Sequence, residues 1–219
     1  MENQNPHIQI IDLDRSYLPA AVELLAAAFA ADPMANYLFV SSAASPEKSL
    51  STLFWFSCEV RFHLGWPLLG RLENGVLQGV LGVTVPEDAD WPPALSDIYS
   101  ELGNTIGAAA LARLERYAET ADTFRPQAPH YHVGFVGVHP RAKGRGHGAA
   151  LMRAVHAMSS AHPTATGIFL DTENPANLPF YQHLGYAIVG ETVLDTITLW
   201  GMYRPNNTAS PTVGSTQSE

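Results

Sequence analysis

The segment 141–148 combines the residue types that bind an anion through the backbone. It contains alternating glycines and interspersed basic side chains, namely Arg141, Lys143, Gly144, Arg145, Gly146 and Gly148. Glycine lets the chain adopt positive φ and lets a ligand approach the N–H groups closely. An Ala-, Leu- and Met-rich segment follows from Ala149 and predicts a helix, whose N-terminal amides and dipole attract negative charge. The segment therefore predicts an anion site suited to a pyrophosphate.

Three interpretations of this segment compete. A plain strand–turn–helix does not account for the basic residues. A dinucleotide site is the second interpretation, because residues 144–149 satisfy G-x-G-x-x-A and Asp171 closes the next predicted strand, near where a ribose would lie. Against it, the turn lies two thirds along the chain, which leaves too few βα units for a doubly wound fold. A Walker A loop is excluded, since no Gly-Lys-Ser/Thr follows.

The third interpretation comes from a resemblance that two motifs carry. Arg141-x-x-Gly144-x-Gly146 resembles the R/Q-x-x-G-x-G/A motif of the GNAT superfamily, the CoA-dependent N-acetyltransferases. Residues 174–186, NPANLPFYQHLGY, resemble the second signature of that superfamily, an Asn, a Tyr and then a Gly-aromatic pair. The two motifs occur in the family order. The NPANLPFY wording and the early AFAADP segment are also similar to the puromycin N-acetyltransferase-like subgroup.

The resemblance implies acetyl-CoA as co-substrate and assigns residues to it. Amides of residues 143–149 hold the pyrophosphate, with added charge from Arg141 and Arg145. His147 stands where the family usually has an aliphatic residue, which suggests an altered contact with the phosphates or adenine. The pantetheine arm pairs with the strand before the turn. The implied CoA-binding set is Val136, Val138, Arg141, Lys143, Gly144, Arg145, Gly146, His147, Gly148, Ala149, Asn174 and Asn177.

The resemblance also implies the chemistry. Val138 N–H polarises the thioester carbonyl, and Tyr181 is the general acid, because a phenol of pKa roughly 10 can return a proton to a thiolate whose thiol pKa is roughly 8.5. The general base stays open between two residues. His132, in the predicted central strand, titrates in the right range, and Glu173 is the carboxylate alternative. Asn174 and Asn177 bind CoA or cap the loop and the helix at 178–184.

The elements that position these residues are predicted from periodicity, caps and turns. Ser16 and Ser45 begin helices, Asp32-Pro33 ends the first, and Asn74-Gly75 marks a β-hairpin. Glycines inside the strand at 131–138 predict a bulge or a close backbone approach. The expected elements are strands at 7–13, 68–73, 76–85, 131–138, 167–171, 186–191 and 194–203, and helices at 16–31, 34–40, 45–63, 94–106, 108–121, 149–158 and 178–184.

The predicted fold class is α/β, with a GNAT fold: a central mixed, mostly antiparallel sheet splayed at one parallel strand pair and flanked by helices. We expect one domain at 1–204 and a flexible tail at 205–219, which is rich in Ser, Thr, Asn and Pro. Since the first helix pair flanks the acceptor site in the GNAT fold, the resemblance makes Phe29, Asp32 and Tyr37 pocket candidates, with core packing favoured for Phe29. Trp55, Trp91 and the region 94–121 are expected to shape the acceptor pocket.

Composition bounds the remaining possibilities. A formal net charge of −9 over 219 residues gives no support to a nucleic-acid partner. A single cysteine excludes an intrachain disulfide and a cysteine-based metal cluster, and no spacing suggests a metal site. The N-terminal sequence lacks a signal pattern and no apolar run reaches membrane length, so we expect a cytoplasmic protein, monomeric or homodimeric.

These observations predict an acetyl-CoA-dependent N-acetyltransferase. The acceptor is a primary amine, expected on a small molecule, and it attacks directly in a ternary complex; peptide and protein amines stay open. The alternative is a GNAT module that binds CoA or acyl-CoA without catalysis and acts as a sensor or interaction domain.

Overall fold

The computed structural model describes residues 7–206 as one sheet flanked by helices. The strands are β1 (Ile8–Asp12), β2 (Leu68–Glu73), β3 (Val76–Thr84), β4 (Tyr131–Val138), β5 (Gly167–Thr172), β6 (Ala187–Leu194) and β7 (Ile197–Pro205). The helices are α1 (Leu18–Phe29), α2 (Pro33–Phe39), α3 (Pro46–Leu64), α4 (Pro93–Ile106), α5 (Ala108–Asp122), α6 (His147–Ala161) and α7 (Leu178–His183).

The sheet has seven strands in the order β1-β2-β3-β4-β5-β7-β6. Only β4 and β5 pair in parallel, and their pairing covers just Tyr131–Val133 of β4. Every other neighbouring pair is antiparallel. The predicted fold class is therefore confirmed: the sheet is mixed, mostly antiparallel, and opens at its one parallel pair.

A β-bulge at Gly134 marks the point where β4 leaves β5. Opposite β3, Gly82 pairs with Phe135 and Val83 with Val133, so Gly134 is the extra residue. A side chain at Gly134 would overlap the guanidinium of Arg61 on α3. The bulge predicted from the strand glycines is present.

Local capping signals account for the starts of α2 and α3. The Ser45 hydroxyl caps α3 by accepting from the Lys48 amide at 3.2 Å, and Gly65 ends that helix at φ +66°. Asp32 caps α2 in the same way through the Met34 amide at 3.1 Å. The expected cap at Ser16 is wrong. Asp14 accepts from the Ser16 amide at 2.8 Å and begins a short 3-10 turn, so that α1 starts only at Leu18.

The core lies on both faces of the sheet. One face carries α1, α2, α3 and α4, with fully buried residues such as Leu25, Leu38 and Leu102. The other face packs on α6 and α7 through Leu151, Met152 and their neighbours. Each such Leu or Met side chain stabilises the fold by roughly 1.5–3 kcal/mol. The two layers hold the edges of β4 and β5 apart where the strands diverge.

The last strand, β7, reaches the first residue of the predicted tail at 205–219. Pro205 still belongs to β7, and the Asn206 side-chain amide donates to the carbonyls of Ser159 and Ala165, both at 2.8 Å. The remainder of the predicted tail, from residue 207, lies outside the described residues. Within residues 7–206 no single helix has the length and apolar character to cross a bilayer, although Arg15–Phe29 with Pro33–Phe39 passes as a pair bent by 96°.

Candidate active site

A cavity of about 570 Å³ occupies the opening between β4 and β5. Residues 133–138 of β4 form one wall, and residues 170–174, at and after the end of β5, form the other. The amino end of α6 closes one side, and α7 and the α1–α2 corner close the rest. The site therefore lies at the only place in the described sheet where two neighbouring strands part.

The free edge of β4 offers backbone hydrogen bonds to the cavity. The His139 amide donates to the Gln78 carbonyl of the β3 side at 2.9 Å. Because successive residues of a strand direct their polar groups to opposite sides, the amides of Val138 and Val136 point away from β3 and into the opening. Both valines line the cavity, as expected for residues that pair with a pantetheine arm.

The glycine turn presents the start of α6 to the same cavity. Gly144 and Gly146 have φ of +77° and +80°, and Gly146 is the residue that precedes the first helical position. The first helical hydrogen bond runs from the Ala150 amide to the Gly146 carbonyl at 3.1 Å. The amides of residues 147–149 thus precede the helical ladder and are available to an anion. Residues 142–144 and 146–149 line the cavity.

The three basic residues of the turn differ in whether they line the cavity. Lys143 lines the cavity, whereas Arg141 and Arg145 are exposed outside its lining. The Arg145 guanidinium pairs with the Glu73 carboxylate at 2.9 Å. The predicted contribution of Arg145 to phosphate binding therefore competes with an ion pair inside the protein.

His147 is directed into the protein. It is 3% exposed, and its Nδ1 accepts a hydrogen bond from the Arg71 Nε at 3.0 Å. Burial, followed by the charge of Arg71, lowers the pKa of His147. Its side chain is held by β2, so the suggestion that it alters the phosphate contacts applies only to its backbone amide.

Gly146→Ala isolates the backbone contribution of the turn. A Cβ at this position meets no atom within 4 Å, so the cost arises from positive φ alone, about 1–2 kcal/mol. We expect weaker CoA binding, by about 5–30-fold if the strain is relieved by moving the amides, measured by isothermal titration calorimetry. Gly75→Ala is the matched control, because Gly75 has φ +79° and equally open space in the β2–β3 hairpin. A similar loss of CoA affinity in both variants would contradict the assignment.

The end of the cavity where the resemblance predicts the chemistry, the predicted catalytic end, carries Tyr181 on α7. The residue is 7% exposed, and its ring packs between Phe180 and Tyr186 at centroid distances of 5.2 and 6.0 Å. Burial, followed by the negative charges of Glu173 and Asp171, raises the pKa of the Tyr181 phenol. The phenol, which lines the cavity, therefore keeps its proton at neutral pH.

The two asparagines before α7 differ in the capping role expected of both. Asn174 is the cap: its side-chain oxygen accepts from the Ala176 amide at 3.1 Å and begins a 3-10 turn over Pro175–Asn177. The predicted cap at Asn177 is wrong, because that residue is itself helical and makes no side-chain capping bond. Both residues line the cavity.

Three carboxyl groups line the cavity together with Tyr181. Glu173 is 7% exposed and lies beside Asp32 and Asp171, and all three line the cavity. Burial, followed by the neighbouring Asp32, raises the pKa of Glu173 well above its ordinary value. A carboxyl group with a raised pKa suits proton exchange near neutral pH.

His132 lies behind this cluster, outside the lining of the cavity. Its Nδ1 is 3.0 Å from the Arg125 guanidinium, and its Nε2 is 3.2 Å from an Asp171 carboxylate oxygen. A guanidinium only donates, so Nδ1 accepts and Nε2 carries the proton. Burial lowers the pKa of His132, which favours this neutral form. The candidate base His132 is thus engaged at both nitrogens, and the structure brings Glu173, not His132, to Tyr181.

Tyr117 and Asp171 are the site residues that sequence reasoning missed in this role. The sequence analysis considered Asp171 only as a ribose ligand in the dinucleotide interpretation. The spacing of Tyr117 from Leu111 and Leu114 is typical of the apolar face of α5. The Tyr117 hydroxyl contacts both Asp171 and Glu173. Tyr117 is 54 positions from Asp171 and 56 positions from Glu173 in the sequence, so no local pattern predicts these contacts.

The expected acceptor residues are only partly brought together. Phe29 and Asp32 line the cavity, whereas Tyr37 is buried with its hydroxyl on Asp195 at 3.1 Å. Trp55 lines a separate groove between α3 and α4, and the Trp91 indole donates to Ser96 at 3.2 Å. Within residues 7–206 no group of three His, Cys, Asp or Glu side chains is placed to hold a metal ion.

Comparisons with known proteins agree with this geometry. Residues 96–188 match the family model of the acetyltransferase (GNAT) domain. An acetyltransferase of Corynebacterium glutamicum related to a histone acetyltransferase is similar in structure at TM-score 0.68 and 23% identity, over 94% of this chain and 99% of that one. A polyamine N-acetyltransferase of Drosophila melanogaster, which forms N-acetylagmatine, gives TM-score 0.63 and 16% identity over 91% and 100%.

A third similar structure is the yncA protein of Salmonella typhimurium, solved with its cofactor acetyl-CoA. It gives TM-score 0.51 and 18% identity over 93% of this chain and 96% of that one. At such identities the likeness is one of fold. Residues 96–188 thus match a GNAT acetyltransferase domain, and the chain shares its fold with these solved structures.

Proposed function

We propose that this protein transfers the acetyl group of acetyl-CoA to the primary amine of a small molecule by direct attack in a ternary complex. One observation carries the proposal: a single cavity joins the amides at the start of α6, the free edge of β4, the Tyr181 phenol and the buried Glu173 carboxyl. An anion site, a strand edge and a proton-exchanging pair are what a CoA thioester and an attacking amine require.

The residues fit acetyl-CoA as co-substrate, which supplies an activated acetyl group when bound. The α6 amides hold the diphosphate, and the Val136 amide aligns the pantetheine arm. The Val138 N–H donates to the thioester carbonyl oxygen and stabilises the negative charge that develops there. These contacts use backbone groups, so they depend on the turn glycines and on the divergence of β4 from β5.

The proton steps use Glu173 and Tyr181. The amine nitrogen forms a bond to the carbonyl carbon and passes its proton to the Glu173 carboxylate. As the carbon–sulfur bond breaks, Tyr181 donates its proton to the leaving thiolate. Burial raises the pKa of both groups, which keeps the phenol protonated and makes the carboxylate more basic.

The acceptor class follows from the charge at the catalytic end. Asp32, Asp171 and Glu173 line the cavity there, beside the apolar Phe29 and Met34. Carboxylates attract ammonium groups and disfavour anionic substrates. We therefore propose a cationic small amine, a class that includes the agmatine acetylated by the Drosophila relative. The resemblance of NPANLPFY to the puromycin N-acetyltransferase-like subgroup adds antibiotic-like amines to the proposed class.

Thiol release from acetyl-CoA, measured with an amine panel, tests the function. The panel contains a dicationic amine, an aminonucleoside and an amino acid of matched size, and mass spectrometry identifies the acetylated product. We expect transfer to the dicationic amine and the aminonucleoside, and little to the amino acid, because its carboxylate is repelled by the acidic residues of the cavity. In parallel, CoA at 100-fold its Kd should stabilise the protein by about 2.7 kcal/mol, and NAD should not.

The same assay separates the second candidate, a CoA-binding module without catalysis. Strong thermal stabilisation by CoA, combined with no acetylated product across the panel, would favour that module. No stabilisation by CoA would contradict both.

A further inference from the structure

The Tyr117 hydroxyl lies between two carboxyl groups. Its oxygen is 2.7 Å from Asp171 Oδ2 and 2.9 Å from Glu173 Oε2. A phenol has one proton, so it can donate to only one of them at a time. The second short contact is favourable when the other carboxyl group carries a proton and donates to the phenol oxygen. The geometry with both contacts short therefore corresponds to the state in which one carboxyl group carries a proton.

Asp171 is the carboxyl group that stays ionised. Its other oxygen faces the Nε2 of His132 at 3.2 Å, and Arg125 fixes the tautomer in which Nε2 donates. Burial alone would raise the pKa of Asp171, but the hydrogen bond from His132 and the bond from Tyr117 hold it below its ordinary value. Glu173 has no such fixed donor chain, and burial with Asp32 raises its pKa. Glu173 is the member that gains and loses a proton.

We propose that Tyr117 is a positioning residue whose hydroxyl turns between Glu173 and Asp171 as Glu173 changes charge. This inference rests on the proposed function, in which Glu173 accepts the proton of the amine. While Glu173 is ionised, the Tyr117 O–H donates to Glu173 Oε2. After the proton arrives, the Tyr117 O–H donates to Asp171 Oδ2, and the Glu173 O–H donates to the Tyr117 oxygen.

The proton count closes over the three side chains. With Asp171 ionised in both states, the group of Tyr117, Asp171 and Glu173 holds one proton before transfer, that of the phenol. It holds two afterwards, and the second is the proton that leaves the amine nitrogen. Burial and the two carboxylates raise the pKa of Tyr117, so the phenol stays protonated and never becomes the base itself.

The charged groups that face Glu173 come from several elements. Asp32 begins α2, Asp171 ends β5 and Tyr181 lies on α7. Behind Asp171 lie His132 of β4, the Arg125 guanidinium and, on α3, Arg61. Within this set Tyr117 is the group whose hydrogen bond lowers the pKa of Glu173 and opposes the other influences on it.

Tyr117→Phe tests the inference by carbon-13 NMR titration of the Glu173 side-chain carboxyl, assigned by its loss in Glu173→Gln. Phe keeps the ring and removes the donor, so we expect the Glu173 titration to move up by about one to two pH units. The rising limb of kcat against pH should move by the same amount, with the KM for acetyl-CoA unchanged. The activity lost at pH 7 should return at high pH.

Tyr99→Phe is the matched control. Its hydroxyl also donates to a carboxylate, Glu115 at 2.9 Å, but on the surface. We expect neither the Glu173 titration nor the rate profile to move. In a second variant, 3-fluorotyrosine at position 117 keeps the hydroxyl and makes it a stronger donor, so the Glu173 titration should move down.

Two outcomes overturn the inference. The first is a Glu173 titration that stays in place in Tyr117→Phe and in the fluorinated protein, and the second is a rate loss equal at every pH. The titration is read without substrate, so it separates this inference from the proposed function. If the Glu173 titration shifts but no amine is acetylated, the proposed function is contradicted and the proposed role of Tyr117 is still supported.

Discussion

Tyr181→Phe is expected to lower kcat by about 10²–10⁴-fold, because the thiolate then leaves without a proton donor. The ring of Tyr181 packs between Phe180 and Tyr186, and Phe preserves that packing. Binding of CoA should therefore be unchanged, which isothermal titration calorimetry checks. The loss should appear in kcat rather than in the KM for either substrate, since the hydroxyl acts in the transition state.

Tyr186→Phe is the control for this variant. Tyr186 is the aromatic neighbour, is 3% exposed, and has its hydroxyl on His156 at 3.2 Å outside the cavity lining. Its removal should cost stability but leave kcat near the wild-type value. Equal rates for wild type and Tyr181→Phe, at a pH where chemistry limits turnover, would remove Tyr181 from the mechanism.

Glu173→Gln is expected to abolish the pH dependence that the base imposes. Burial and Asp32 raise the pKa of Glu173, so its ionised form is gained only as pH rises above the ordinary carboxyl range. Wild-type kcat/KM should rise with pH through that raised value. Gln keeps the shape but cannot accept a proton, so kcat/KM should fall by about 10²–10⁴-fold at the optimum.

Two measurements keep this prediction separate from the titration of the amine. In Glu173→Gln, the pH dependence of kcat/KM that remains comes from the amine, so it should shift when an acceptor of different amine pKa is used. In wild type, the part of the pH dependence that comes from Glu173 should stay in place with the new acceptor. Glu191→Gln, an exposed carboxyl on β6, should match wild type at every pH. A wild-type profile that follows only the amine pKa would show that Glu173 is not the base.

The elements were predictable where the signal is local. Ser45 before Pro46 and Asn74-Gly75 set their boundaries through caps and turns that depend only on neighbouring residues. The mixed sheet with one parallel strand pair was predicted instead from the resemblance of two motifs. Local reading failed where two polar residues compete for one helix start: Asp14 caps in place of Ser16, and Asn174 in place of Asn177.

The candidate site was predictable along β4, the glycine turn and Tyr181, since each lies within a motif. The choice between His132 and Glu173 was not, because it depends on partners distant in sequence. Arg125 and Asp171 occupy the two nitrogens of His132, and the side chains of Asp32 and Tyr117 set the environment of Glu173. Burial and long-range contacts, absent from any spacing rule, decide that Glu173 lines the cavity and that His132 does not.

The cavity is built from two independent sources along the chain. β4 and α6 bring backbone groups to the cavity, whereas Tyr117 arrives from α5, in the helical hairpin α4–α5 between β3 and β4. Buried residues of that hairpin, such as Leu102, belong to the core, so only its exposed positions can be varied without loss of packing. Libraries that seek new acceptors should therefore vary the cavity-lining residues of the α1–α2 corner, and hold Tyr117 and residues 131–149 constant.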